Sequence, residues 1–128
     1  MNKQLYKELS AQILDASILV HKEMGPGLLE SVYEACLQKE LELRGIQVAS
    51  QVRLPLFYRG IELDKEFRID LFVEDEIILE LKAVEFVLPV HEAQIISYLK
   101  LAKKPLGFLI NFNESLLKHG FKRFVNNF

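Results

Sequence analysis

Residues 67–82 read FRIDLFVEDEIILELK, two apolar runs rich in β-branched and aromatic residues on either side of three acidic residues. This pattern predicts two antiparallel strands joined by a turn at Glu74-Asp75-Glu76. The register that such a turn imposes, carried along both strands, places Asp70 opposite Glu80. The stretch therefore predicts a central hairpin in which two carboxylates face each other.

Asp70 and Glu80 are the first candidate site residues. Cross-strand partners have Cβ atoms about 4.5–5.5 Å apart, and like charges in such a pair destabilise a sheet. The two-residue alternation of a strand places Lys82 on the same face as Glu80. A divalent cation removes the repulsion, and Mg²⁺ binds through one or two carboxylates while it keeps several waters. The three residues therefore predict a metal site suited to phosphodiester cleavage. Lys82 either favours the hydroxide form of a bound water or stabilises the charge that develops on the phosphate.

The alternative is an exposed sheet edge at which Lys82 forms an ordinary ion pair with Asp70 or Glu80, an interaction that contributes little to stability. The strand Ile77–Leu81 is nearly continuous in apolar residues, and such strands are usually covered on both faces. Charged side chains in a covered strand need a partner or an ion. The apolar neighbours therefore favour the metal site.

The rest of the chain predicts a single α/β domain over residues 1–128, without linkers or internal repeats. The apolar spacing predicts helices over Lys3–Met24 and Leu28–Arg44, with Gly45 as the residue that ends the second helix. The other predicted elements are strands at Ile46–Ser50, Val52–Tyr58, Glu66–Val73, Ile77–Ala83 and Leu106–Asn111, a helix over His91–Leu101, a short helix over Glu114–His119 and a closing segment, Phe121–Val125. The first two strands are either separate or merged into one.

Composition limits the functions that the chain can have. The lone Cys36 favours a reducing compartment, and we expect a cytoplasmic protein. No stretch is long and apolar enough to span a bilayer, so no membrane partner is expected. The net charge of −2 argues against indiscriminate binding to nucleic acid. Basic residues are concentrated near the C-terminus, either as phosphate contacts or as an ordinary solvated face: Lys100, Lys103, Lys104, Lys118, Lys122 and Arg123.

Two predicted helices carry further candidates. Gln94 and Tyr98 are four residues apart on the polar side of the third helix, and His91 precedes them by one turn. All three have a position from which they can face the metal site, although for His91 a solvated histidine at the helix start is the preferred interpretation. Glu30 in the first turn of the second helix is either a further ligand or a favourable charge at a helix N-terminus.

The segment Gly27–Tyr33, GLLESVY, resembles the signature of the GxxExxY proteins of bacteria and archaea. The resemblance continues through Arg68–Asp70, Glu80–Lys82, Gln94–Leu99 and Gly107–Phe112. This family is grouped with the PD-(D/E)XK nuclease-like superfamily. Its restriction-endonuclease-like core consists of a helix, a three-stranded β-meander, a helix and a strand, which form a mixed sheet flanked by helices.

By position, the resemblance implies that Asp70 and Glu80 bind Mg²⁺ or Mn²⁺, that Lys82 is the catalytic cation and that Glu30 is an auxiliary metal ligand. Ile69 stands where the superfamily often has proline, which leaves the ligand itself in place. Gln94 and Tyr98 are similar to the Q-x-x-x-Y element of some exonuclease branches, which implies that they position water or phosphate.

The activity implied by the resemblance is a metal-dependent nuclease acting on nucleic acid, with DNA as the first candidate. A homodimer is an assembly that the sequence leaves open. One competing reading is a catalytically silent binding module for nucleic acid or a partner protein, which would use the basic C-terminal third. A small-molecule phosphohydrolase ranks last because the chain has no glycine-rich phosphate loop.

Overall fold

The computed structural model describes residues 1–128 of the chain. No helix combines the length and the apolar content needed to cross a bilayer. The elements in chain order are α1 (Lys3–Met24), α2 (Glu30–Leu43), β1 (Val48–Tyr58), β2 (Ile61–Val73), β3 (Ile77–Lys82), α3 (Pro89–Ala102), β4 (Leu106–Asn111), a 3₁₀ turn (Leu117–Gly120) and β5 (Phe121–Val125).

The five strands form one mixed sheet in the order β1-β2-β3-β4-β5. β1, β2 and β3 form an antiparallel meander, and β4 lies parallel to β3. Because parallel neighbours need a crossover connection, α3 passes over one face of the sheet between them. The expected order of helix, three-stranded meander, helix and strand in a mixed sheet is confirmed.

β3 is the centre of the fold and is covered on both faces. Leu79 belongs to the apolar cluster beneath α1 and α2, whereas its neighbour Ile78 packs in a second cluster beneath α3 with Ile95. α3 approaches the sheet closely at Gly107 on β4. A Cβ at this glycine would lie 3.0 Å from the carbonyl oxygen of Ile78 and 3.1 Å from Cδ1 of Ile95. The absence of a side chain at Gly107 therefore sets how closely α3 packs.

Several strands differ in their bounds from those predicted. The two segments predicted before Tyr58 form the single strand β1, which is the merged alternative. β2 begins at Ile61 rather than Glu66, because Arg59 and Gly60 adopt positive φ angles of 52° and 78° and turn the chain directly back on β1. The segment Phe121–Val125 is a fifth strand antiparallel to β4, and the short helix before it is one 3₁₀ turn.

The two-residue alternation of β2 is interrupted at Asp70. Leu71 packs beneath α1 and α2, yet Ile69 packs beneath α3. The break has a counterpart on β1, where Gln51 adopts a φ of 52° in the left-handed region. β2 pairs with β3 only from Leu71 to Val73. Beyond this point residues 52–58 and 61–69 form a two-stranded projection, the β1–β2 ribbon, which pairs with no third strand.

Candidate active site

A polar cleft of about 470 Å³ opens where β2 separates from β3. Its walls come from the β1–β2 ribbon, the end of β3, the start of α2 and one side of α3. The lining residues are Glu30, Arg53, Glu66, Phe67, Arg68, Asp70, Glu80, Lys82, Gln94 and Tyr98. Every residue for which the resemblance implied a role lies in this cleft.

Asp70 and Glu80 meet at the point where the β2–β3 pairing stops. The predicted register is confirmed as far as Leu71, which pairs with Leu79. At the next position, the backbone N–H of Asp70 donates to Oε2 of Glu80 at 3.2 Å. In return, the N–H of Leu81 donates to Oδ2 of Asp70 at 2.9 Å. Carboxylate oxygens thus replace main-chain carbonyls as acceptors, and the two side chains are held side by side.

Glu80 is an almost completely buried carboxyl group, with 3% of its surface exposed. Burial raises the pKa of Glu80 to about 9, the negative charge of Asp70 and side-chain hydrogen bonding with it add to this effect, and the backbone N–H of Asp70 opposes it. The nearby Lys82 ammonium acts in the opposite direction. In the absence of another cation, Glu80 therefore keeps its proton at neutral pH.

The donor set at this position fits a hard divalent cation. Asp70 and Glu80 offer only carboxylate oxygens, which suit Mg²⁺ or Mn²⁺ rather than a softer metal. No group of three or more His, Cys, Asp or Glu side chains is close enough to surround a metal ion by itself. The pair therefore fits an ion that keeps several of its ligands as water or substrate oxygens.

Glu30 enters the cleft from the first residue of α2. Its Oε2 accepts the backbone N–H of Ala83 at 3.3 Å, just beyond the end of β3. Its position in the cleft comes from the preceding loop, which Tyr33 fixes. The buried Tyr33 hydroxyl donates to the carbonyl oxygen of Gly25 at 2.5 Å and accepts the N–H of Leu28 at 3.1 Å. The Gly-x-x-Glu-x-x-Tyr signature therefore has a local structural function, which is to hold a carboxylate at the end of β3.

α3 supplies the opposite wall. Nε2 of Gln94 donates to the hydroxyl of Tyr98 at 3.3 Å, and the Tyr98 ring packs against Phe67 with centroids 5.2 Å apart. Burial raises the pKa of Tyr98, and the negative charges of Glu80 and Asp70 raise it further. The Tyr98 hydroxyl therefore remains a neutral donor across the physiological pH range.

His91 does not line the cleft. Its Nδ1 accepts the backbone N–H of Leu88 at 3.0 Å and caps the start of α3. The expectation that His91 can face the predicted metal site is wrong. His91 lies at the helix start, as the preferred interpretation held, but it is partly buried and hydrogen-bonded rather than simply solvated.

Sequence reasoning missed the ribbon side of the cleft. Arg53 and Arg68 are cross-strand partners there. Glu34, four residues after Glu30 on α2, is also close: burial raises its pKa, and the charge of Asp70 contributes. The spacing of Glu34 from Glu30 was a usable signal, because residues four apart share a helix face.

Comparison with known proteins identifies one family. A family model described as the PD-(D/E)XK nuclease superfamily matches residues 7–124. No curated protein matches the chain significantly. No solved structure matches it significantly either. The matched range runs from α1 into β5 and includes every residue of the cleft.

Proposed function

We propose that this chain, which belongs to the PD-(D/E)XK nuclease superfamily, is a divalent-metal-dependent nuclease that hydrolyses phosphodiester bonds of nucleic acid. The observation that carries the proposal is the pairing of the buried Glu80 with the partly buried Asp70, since their mutual hydrogen bonds and the raised pKa of Glu80 favour either a proton or a cation between them. If both carboxyl groups were ionised they would repel each other, and a bound cation would offset that repulsion.

Asp70 and Glu80 hold the ion in this proposal, and Glu30 is an auxiliary ligand. When bound, Mg²⁺ or Mn²⁺ supplies a Lewis acid for a phosphoryl oxygen and lowers the pKa of a bound water. Glu80 would be ionised when it holds the ion, and the pair would then supply the negative charge that keeps the ion in the cleft.

Lys82 stabilises the negative charge that develops on the phosphate. Its side chain points into the cleft and forms no salt bridge, so its charge is available to a substrate. The carbonyl oxygen of Lys82 accepts the N–H of Phe112 at 2.9 Å, which fixes the end of β3 against the chain after β4. On the other wall, the amide of Gln94 and the hydroxyl of Tyr98 orient the attacking water or a phosphate oxygen.

Nucleic acid, with DNA as the first candidate, is the substrate class that the charges of the cleft favour. Arginine and lysine side chains line it beside the acidic pair, and arginine binds phosphate groups well. We place the protein in the cytoplasm, because its lone Cys36 fits a reducing compartment. A homodimer would present two clefts to two strands, and sedimentation of the purified protein tests for it.

The deciding experiment is cleavage of single- and double-stranded DNA and RNA in Mg²⁺ and in Mn²⁺. Wild type is compared with Lys82→Ala, Glu80→Gln and Lys39→Ala, of which the last removes a lysine from the exposed side of α2, outside the cleft. We expect the first two variants to lose about 100-fold or more of the rate and Lys39→Ala to lose none. Absence of cleavage by wild type, or equal rates in all four proteins, would overturn the proposal.

A second candidate function is a binding module that uses the basic end of α3. A second cleft of about 630 Å³, the basic cleft, is lined by Lys100, Lys103, Lys104, Pro105, Asn126 and Asn127. Two other basic residues of the C-terminal third are engaged elsewhere. Lys122 forms an ion pair with Glu92 at 2.9 Å, and Arg123 lies over the ring of Phe128. The basic cleft, rather than the whole C-terminal third, is therefore the surface that favours this function.

The binding-module function makes its own prediction. Lys103→Gln combined with Lys104→Gln should weaken nucleic-acid binding about tenfold, whereas Asp70→Asn should leave it unchanged. Fluorescence anisotropy of a labelled oligonucleotide measures both effects. If binding is insensitive to the two lysines, this function is excluded.

A further inference from the structure

The cleft contains a second pair of like charges that face each other. Arg53 on β1 and Arg68 on β2 are direct cross-strand partners, and both line the cleft. Direct partners of the same sign destabilise a two-stranded pairing. The pair lies in the β1–β2 ribbon, where no third strand supports the sheet. The repulsion between the two arginines therefore destabilises a part of the sheet that no third strand stabilises.

Neither arginine forms a close ion pair within the protein, although the charge of Arg68 lowers the pKa of the nearby Glu34 carboxyl. Arg53 reaches Glu66 at 3.8 Å, and because both side chains are more than half exposed, at 67% and 55%, this contact contributes little. Arg68 forms no salt bridge. By contrast, Arg44 makes two ion pairs at 2.9 Å, with Asp15 and Glu40. The two cleft arginines are therefore free to bind an external anion.

We propose that Arg53 and Arg68 together bind a backbone phosphate of the nucleic acid, next to the phosphodiester bond at the metal site. A guanidinium group binds phosphate through two parallel hydrogen bonds, and a phosphate between two guanidinium groups offsets their repulsion. The inference rests on the proposed function for the identity of the ligand as nucleic acid. It does not rest on cleavage.

The spacing along β2 locates the bound phosphate. Arg68 precedes Asp70 by two residues, and Arg53, Arg68 and Asp70 line the same cleft. A phosphate bound by the arginine pair therefore lies beside the acidic pair, close to the phosphodiester bond at the proposed metal site.

Binding without metal tests the pair directly. The anisotropy of a labelled single-stranded oligonucleotide is measured in EDTA at several salt concentrations, for wild type, Arg53→Gln, Arg68→Gln and the double variant. We expect the double variant to bind about tenfold more weakly. The slope of log K against log salt should become shallower by about 0.7, the value for one phosphate contact on a single strand.

Lys65→Gln is the matched control, because Lys65 is an exposed cation on the same ribbon and does not line the cleft. It should leave both the affinity and the salt slope close to those of wild type. A double variant that binds like wild type, or a wild type that does not bind the oligonucleotide at all, would overturn the inference.

Kinetics separate this inference from the proposed function. In an active protein, the double variant should raise KM with kcat within about threefold of wild type, because a neighbouring phosphate is bound equally in the ground and transition states. If wild type binds through the arginine pair in EDTA but cleaves nothing in Mg²⁺ or Mn²⁺, the nuclease proposal fails while the phosphate site stands. A fall in kcat alone would contradict the assigned role.

Discussion

The backbone N–H of Leu81 donates to Oδ2 of Asp70 at 2.9 Å, so a candidate metal ligand also holds the strand that carries Glu80. The β2–β3 backbone pairing has already ended at Leu79. The Asp70 side chain therefore replaces a main-chain acceptor. A substitution that removes its negative charge but keeps an acceptor oxygen distinguishes its proposed role in metal binding from its role in holding β3.

Asp70→Asn and Asp70→Ala should behave differently. The asparagine keeps an oxygen that accepts the N–H of Leu81, so we expect cleavage to fall about 100-fold or more with little change in Tm. The alanine leaves this N–H without its partner, at a cost of about 1–3 kcal/mol. Thermal melts of the two variants check the difference, and equal Tm values would contradict the structural role of Asp70.

The stability of the metal-free protein should depend on pH through Glu80. Folding raises the pKa of Glu80 from 4.5 to about 9, so between these values the folded protein keeps a proton that the unfolded chain has released. The free energy of unfolding therefore falls as the pH rises from about 4.5 towards about 9. Urea unfolding in EDTA at pH 6 and pH 8.5 should show a larger loss for wild type than for Glu80→Gln. If the stability of wild type and of Glu80→Gln changed equally between the two pH values, Glu80 would not be the cause of the pH dependence.

Metal binding should release that proton. Because the ion needs the ionised carboxylate, the apparent affinity for Mg²⁺ or Mn²⁺ should rise about tenfold per pH unit between pH 6 and pH 8.5. Calorimetric titration in two buffers of different ionisation enthalpy counts the protons released. We expect wild type to release close to one proton per bound ion and Glu80→Gln to release none. Release of almost no protons by wild type would contradict the prediction.

Tyr33→Phe tests how the signature positions Glu30. The variant keeps the stacking of the ring on Phe112, whose centroid is 4.6 Å away, and removes only the hydroxyl that ties down the Gly25–Leu28 loop. We expect a loss of about 1–3 kcal/mol in stability, together with faster amide hydrogen exchange in that loop. Tyr58→Phe, at the exposed tip of the ribbon, is the control and should change neither the stability nor the exchange rate of that loop. Unchanged exchange in Tyr33→Phe would show that the hydroxyl does not hold the loop.

Gly107→Ala should push α3 away from the sheet. The new methyl group would lie 3.0 Å from the carbonyl oxygen of Ile78 and 3.1 Å from Cδ1 of Ile95, and we expect a cost of about 1–3 kcal/mol. Ile95→Val removes the closest side-chain atom and should restore part of the stability in the double variant. The cleavage rate should fall as well, because α3 carries Tyr98 into the cleft. A fully stable Gly107→Ala protein would contradict this account of the packing.

The sequence was sufficient for the hairpin and for the acidic pair. The turn at Glu74-Asp75-Glu76 determined the register, and apolar residues on both sides of Glu80 indicated a covered strand. Gly45, with a φ of 75°, ends α2 as predicted. These features depend on local spacing and on side-chain type, which a single sequence displays directly.

The ribbon side of the cleft was not predictable by the same reasoning. The alternation rule assumes a continuous strand, whereas β2 changes face at Asp70 opposite the left-handed Gln51. The residue types at these positions do not predict the break, because Gln51 is neither glycine nor asparagine, the residues that most often adopt the left-handed conformation. Arg53 and Arg68 both lie in predicted strands, but their pairing depends on the tight turn at Arg59-Gly60 and on the register shift between Pro55 and Phe57, which the sequence did not reveal.

The break at Gln51 also bears on whether two copies of the protein can associate through the edges of their sheets. β1 is an edge strand of eleven residues, and a long regular edge is a template on which other chains can add strands. The left-handed Gln51 interrupts that edge, and Pro55, which has no N–H, interrupts it again four residues later. The irregularity that accompanies the opening of the cleft thus also protects the sheet from edge-to-edge aggregation.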